Sequence, residues 1–130
     1  MATRRKWSGG CLCGDVSYEA KGRPVDVTHC YCSMCRRNSG AGSQTFARFR
    51  SERVRWVGRP RVFRSSSAAR RGFCGRCGSS LFLDYDDQAG FVWITAGTLD
   101  DVEALSPTLH WCTDDRIWWV PVDEELPSVR

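Results

Sequence analysis

No stretch of this 130-residue chain approaches the ~20 consecutive apolar residues that a membrane-spanning helix requires. The first residues, MATRRKWSGG, are basic but lack the apolar run of a secretory signal peptide. Both absences point to the cytoplasm, where thiols stay reduced and disulfide frameworks are rare. Helical periodicity is missing as well: no segment keeps an apolar face over the ~11 residues that a helix assignment needs. At most SMCRRN and DDVEAL (100–105) form a turn each. Internal repeats, low-complexity tracts and long linkers are also lacking. The chain therefore reads as one domain, 1–130, with a core from about 7 to 122. The first few residues and the acidic tail DEELPSVR are expected to fray. Histidine is scarce, at two residues, and a packed or surface role is more common for it than a metal one.

What is present is strand-forming. The apolar fraction is 42% with six tryptophans, enough for a packed core without staples. Short runs rich in Val, Ile, Thr and aromatics are separated by Gly, Pro, Asp and Ser. They are DVSYEA (15–20), DVTHCYC (26–32), SQTFARFR (43–50), RVRWVG (53–58), RVFRSS (61–66), SLFLDY (80–85), FVWITAGTL (91–99), LHWC (109–112) and IWWVPV (117–122). The fold expected is all-β, with little helix. Trp93, Trp111, Trp118 and Trp119 are expected in the core, since large aromatics in a small β domain are buried by default.

Charge is unevenly distributed. Residues 1–80 carry 17 Lys or Arg against 4 acids, and residues 81–130 carry 2 against 11. One reading is an acidic partner, either nucleic acid or a carboxylate-bearing small molecule. The other is that strands from the two halves interleave and their fields cancel.

Eight cysteines in a reducing compartment point to metal. Cys11 and Cys13 stand in GGCLCG, Cys30, Cys32 and Cys35 in HCYCSMCRRNSG, Cys74 and Cys77 in FCGRCGSS, and Cys112 alone. Close pairs followed by glycine suit zinc, because a tight turn aims backbone N–H groups at the sulfurs. Gly14 follows Cys13, and Gly75 and Gly78 flank Cys77. The simplest partition closes a structural site with Cys11, Cys13, Cys74 and Cys77. It leaves Cys30, Cys32 and Cys35 as an open, catalytic-type site with a vacant position. A single ribbon of Cys32/Cys35 with Cys74/Cys77 is the alternative, although its spacing is long. Three thiolates on a divalent ion leave a net −1, a poor centre for acidifying water. Soft ligands instead favour a fourth thiol, held as thiolate and ready to meet an electrophilic carbon. Arg36 and Arg37 follow directly and would offset that charge or grip a substrate carboxylate.

GGCLCGDVSYEA, HCYCSMCRRNSG, GFCGRCGSSLF and ITAGTLDD together resemble the glutathione-dependent formaldehyde-activating family, which includes the centromere protein V domain. The resemblance runs from about Gly9 to Trp119. It implies a tent of several small antiparallel sheets stapled by a structural zinc, with a second, catalytic zinc. The implied structural ligands are Cys11, Cys13, Cys74 and Cys77, and the catalytic ones Cys30, Cys32 and Cys35. The implied reaction joins glutathione to formaldehyde as S-hydroxymethylglutathione, a carbon–sulfur lyase in reverse. Tyr31 departs from the smaller residue or His expected there, and would either narrow the open site or point away along the strand.

The remaining candidates read more plainly. His29 in a strand faces opposite Cys30, so packed or surface roles are expected for it and for His110. Cys112 is expected to be a buried core thiol. Ser39, Ser43 and Gln44 are candidates to bond a peptide-like ligand. A nucleic-acid, chromatin or thiol-binding module without catalysis is the second reading. It lacks the recognition helix of a two-Cys two-His finger. A zinc deaminase needs an H-x-E motif, which neither His29-Cys30-Tyr31 nor His110-Trp111-Cys112 supplies.

Overall fold

In a computed structural model, residues 5–129 are described, and they form two sheets and one helix. The smaller sheet is built from β1 (Lys6–Gly10), β2 (Ser17–Lys21) and β5 (Val54–Val57), in the order β1-β2-β5. Its strands alternate as expected for a half-buried sheet: Trp7 and Gly9, then Tyr18 and Ala20, face inward.

The larger sheet has eight strands. In chain order they are β3 (Asp26–Cys30), β4 (Gln44–Arg50), β6 (Arg61–Arg64), β7 (Ala69–Phe73), β8 (Ser80–Tyr85), β9 (Phe91–Thr95), β10 (Leu109–Trp111) and β11 (Ser128–Val129). Their spatial order is β11-β10-β3-β4-β9-β8-β7-β6. Pairing is antiparallel except that β10 runs parallel to both β3 and β11. The antiparallel expectation thus holds for the small sheet, while the large one is mixed.

The middle of this sheet is buried on both faces, which explains the continuous apolar runs of β8 and β9. On one face Ala47, Phe49, Leu81, Val92 and Ile94 pack against Trp7, Tyr18 and Ala20 of the small sheet. On the other, Phe46, Leu83 and Trp93 pack with Cys30 and Cys35. A β-bulge between β7 and β8 separates the two sets. Gly72 pairs with Phe82 but the next residue, Phe73, pairs with Ser80, so Leu81 is the extra residue. Leu81 and Phe82 consequently both face the first core.

The single helix, α1 (Ser33–Ser39), follows β3 after a two-residue turn and ends at Gly40, whose N–H donates to the Arg36 carbonyl at 2.7 Å. DDVEAL forms a single 3-10 turn, as expected.

Three assignments differ from expectation. IWWVPV is not a strand, because the edge of β10 it would need is occupied by β11, at the chain's end. The acidic tail is therefore anchored rather than frayed at residues 128–129, and residues 1–4 lie outside the described residues. Trp118 and Trp119, lacking a strand, are exposed at 89% and 59% instead of entering the core. Conversely, KWSGG and ARRGF form β1 and β7 despite weak strand propensity, since neighbours hold them.

Opposite charges meet across the two halves of the chain. Arg5 pairs with Asp101, Arg64 with Asp86 at 2.8 Å and Arg70 with Asp84 at 2.7 Å. The interleaving reading of the charge asymmetry describes these pairs directly.

Gly72 is required by close approach: a Cβ there would lie 2.0 Å from the Phe82 ring. Gly72→Ala is expected to cost about 1–3 kcal/mol by overpacking. Gly90→Ala, where a Cβ meets nothing within 4 Å, should change stability by less than about 0.5 kcal/mol. Denaturant unfolding of the two variants checks the contrast.

Candidate metal centre

The cysteines assemble into two groups. The Sγ atoms of Cys11, Cys13, Cys74 and Cys77 all lie within 4.8 Å of one another, and so do those of Cys30, Cys32 and Cys35. The ribbon alternative, which mixes Cys32/Cys35 with Cys74/Cys77, is overturned by this grouping.

The four-sulfur group joins the end of β1 to the corner between β7 and β8. Cys11 Sγ is 3.6 Å from Cys13 Sγ, and Cys13 Sγ is 3.7 Å from Cys74 Sγ. Tetrahedral zinc with Zn–S bonds of ~2.3 Å puts its sulfurs about 3.8 Å apart, so the donor set fits that ion. Both turns aim amides at sulfur. Val16 N–H donates to Cys11 Sγ at 3.3 Å, and Arg76 and Cys77 N–H to Cys74 Sγ at 3.4 and 3.5 Å. The turns close at Gly14 and Gly78, with φ of 83° and 81°, a conformation that favours glycine. Ser79 ties them together: its Oγ accepts from Leu12 N–H at 3.0 Å and lies 3.1 Å from Cys77 Sγ. Hydrogen bonds from the Ser79 side chain and backbone, among others, hold the Cys77 thiol down at about 5, suited to binding a metal as thiolate.

The three-sulfur group sits where β3 passes into α1. Cys30 ends the strand, Cys32 is the helix N-cap, and Cys35 lies in the first turn. A strand-to-helix turn with spacing C-x-C-x-x-C thus brings three sulfurs to one point. Cys30 Sγ is 3.5 Å from Cys32 Sγ, and Cys35 N–H donates to Cys32 Sγ at 3.4 Å. Cys30 and Cys35 are buried, whereas Cys32 is half-buried, so the group opens on one side. Hydrogen bonds from the Cys30 and Cys35 thiols, and from the Cys35 and Met34 amides, favour thiolate at Cys32. The reciprocal bonds, with Cys32 foremost, keep Cys30 protonated. Cys30 and Arg71 pull the Cys35 thiol down, but Cys32 and burial push it to about 11. Metal binding here must displace these protons.

Around the triplet, the candidates separate. Tyr31 is buried and turned away from the open side, its hydroxyl 3.2 Å from His110 Nδ1. His110 Nε2 is 2.5 Å from the Asp123 carbonyl, and His29 Nδ1 is 2.7 Å from Thr45 Oγ1. Among the described residues neither histidine joins a metal-ligating group, consistent with packed roles. Cys112 is half-buried rather than a core thiol. Trp111, just before it, pairs with Cys30, and Cys112 adopts a left-handed φ of 59°. Burial and then the charge at Cys32 raise its thiol, while a hydrogen bond with Cys30 lowers it. Arg36 and Arg37 lie in the last turn of α1, Arg36 half-buried and Arg37 exposed. Ser39 Oγ donates to its own turn, at the Arg36 carbonyl (3.4 Å), and to the Ser43 carbonyl (3.3 Å).

Sequence reasoning missed Arg71. This β7 residue donates from Nη2 to Cys35 Sγ at 3.6 Å and from Nη1 to Gln44 Oε1 at 3.2 Å. Gln44 and Asn38 both donate to Ser80 Oγ at 2.9 Å, fixing the surroundings of that guanidinium. Arg71 is 36 residues from Cys35 and no motif joins them; only the sheet order does.

The profile of the glutathione-dependent formaldehyde-activating enzyme family matches residues 6–115. The chain belongs to that family. Among proteins similar to this chain is an uncharacterized lyase from Schizosaccharomyces pombe (strain 972 / ATCC 24843), 25% identical over 111 residues, covering 85% of this chain and 81% of that protein. A putative glutathione-dependent formaldehyde-activating enzyme from Halomonas elongata is 25% identical over 126 residues, covering 88% of this chain and 80% of that one. A crystal structure of a Rhodobacter sphaeroides protein shares the fold, with TM-score 0.61 and 22% identity over 77% of this chain and 91% of the other. No helix among the described residues is long and apolar enough to cross a membrane.

Protein purified under reducing conditions with zinc is expected to carry two ions per chain by metal analysis. Cys32→Ser should retain one and keep its circular dichroism. Cys74→Ser should lose several kcal/mol of stability, since structural metal binding is folding free energy.

Proposed function

We propose that this chain, acting as a single zinc-binding β domain, joins glutathione to formaldehyde to give S-hydroxymethylglutathione. Cys30, Cys32 and Cys35 would hold the catalytic ion, and Cys11, Cys13, Cys74 and Cys77 the structural one. The observation that carries this reading is a three-thiol group with one accessible side in a member of the formaldehyde-activating family. Zinc bound there supplies a soft position at which an incoming thiol is held as thiolate.

In the addition itself, sulfur attacks the carbonyl carbon and a C–S bond forms. The C=O π bond breaks, and the thiol proton ends on the new hydroxyl. The chain's own contribution is positional. The strand-to-helix turn fixes three sulfurs, while burial of Cys30 and Cys35 leaves approach only past Cys32. Tyr31, engaged with His110, stays clear of that approach. Arg36 and Arg37 would face the peptide's carboxylates from the last turn of α1. A reducing compartment, the cytoplasm, suits both the cysteines and the thiol substrate.

Exchange spectroscopy of glutathione with formaldehyde, with and without zinc-loaded protein, checks the activity. Faster exchange is expected with wild type, and a drop to the uncatalysed rate with Cys32→Ser. A background rate with wild type, alongside thiol-induced change at the metal, would identify a thiol-binding module instead. Salt-sensitive binding of duplex DNA at physiological ionic strength would favour the nucleic-acid reading.

A further inference from the structure

Arg71 carries a permanent charge at 5% exposure. A buried charge is costly unless it is paired, yet no carboxylate lies within ion-pair distance of it among the described residues. Its Nη atoms reach Cys35 and Gln44, and its buried Nε has no hydrogen-bond partner. The negative charge that compensates it on one side is the cysteine triplet. On the other side Arg71 lines a cavity of about 310 Å3, together with Met34, Arg37, Asn38, Phe63 and Ser65. That lining holds two arginines and no acid. Helix α1 joins the two places, because Met34 lies between Cys32 and Cys35, and Arg37 and Asn38 follow one turn later.

We propose that this cavity is an anion subsite, in which Arg37 and Arg71 receive a carboxylate of the thiol whose sulfur occupies the open side of the triplet. The site then selects acidic thiols over neutral or cationic ones of similar size. The proposal rests on the thiol reading given above and narrows it to a class of thiol. Arg71 serves both ends: it donates to Cys35 on the sulfur side and brings its charge to the lining of the cavity. Asn38, held by Gln44 and Ser80, fixes the wall between them. Phe63, 64% exposed at the rim, gives the substrate's apolar stem a surface.

The test uses full-length protein loaded with cobalt, whose thiolate absorption reports a new sulfur ligand independently of turnover. Three thiols of similar size, 3-mercaptopropionate, 2-mercaptoethanol and cysteamine, are titrated and compared at equal thiolate concentration. The carboxylate thiol is expected to bind at least about tenfold more tightly than the neutral one, with the amine weakest. In Arg37→Gln and in Arg71→Gln that preference should shrink to about twofold or less, while 2-mercaptoethanol binding persists in Arg37→Gln. Arg37 is exposed, so Arg37→Gln remains decisive if the Arg71 variant does not fold. Equal binding of neutral and acidic thiols by wild type would overturn the subsite and leave the thiol reading standing. A preference unchanged in Arg37→Gln would also overturn it, since the carboxylate would then be held elsewhere. A cobalt spectrum that no thiol alters would overturn the thiol reading, and the subsite with it.

Discussion

Four sulfurs from two stretches some sixty residues apart meet at one point in this fold. Cys11 and Cys13 follow the first strand, and Cys74 and Cys77 follow the seventh, yet all four sulfurs lie within 4.8 Å. The tie joins the three-stranded sheet to the eight-stranded one along the side where their shared core is built, and both Cys11 and Cys74 belong to that core. Five-residue strands with two glycines, such as KWSGG, have little intrinsic reason to persist. Fixing their ends to a rigid turn removes much of the entropy that would otherwise release them. Thiols this close, with amides directed at them, could hold a metal ion, whose binding would then be coupled to folding.

The large sheet keeps the two cysteine groups on opposite faces. One face packs against the small sheet and carries the four-cysteine tie; the other carries the three cysteines, Arg71, and the Asn38–Gln44–Ser80 hydrogen bonds. Because the central strands are covered on both sides, the three-cysteine group rests on a closely packed surface. Cys30 and Cys35 are part of that packing, so ligand position is set by Phe46, Leu83 and Trp93 beneath them. The same arrangement explains why a charged guanidinium is tolerated at 5% exposure: its partners are built into the packing.

Features written within a few residues were legible in the sequence. The cysteine groups, their glycine turns and most strands depend on local spacing, and spacing survives into three dimensions; α1, at seven residues, runs longer than the single turn expected of SMCRRN. Features that depend on which strands become neighbours were not. Arg71 meets Cys35 only because the fold brings β7 and α1 together, and no pattern around residue 71 marks it as different from Arg70. IWWVPV has better strand composition than PSV, but β10 offers one free edge and the later segment takes it. Trp118 and Trp119 were consequently misread as core. Of the two readings of the basic first half, interleaving is the one its arginines follow where they meet acids of the second half.

The bulge at Leu81 has a consequence for the parity of its strand. Ser80 and Leu83 are three residues apart, and in an unbroken strand an odd separation sends two side chains to opposite faces. Here both serve the face that holds Cys30 and Cys35: Ser80 by holding Asn38 and Gln44, Leu83 by packing beneath the sulfurs. One surplus residue makes this agreement possible, and it stands immediately after the Cys74–Cys77 turn. The strand leaves the four-cysteine group in one phase and serves the three-cysteine group in the other, so a single inserted residue reconciles two groups that would otherwise demand opposite registers.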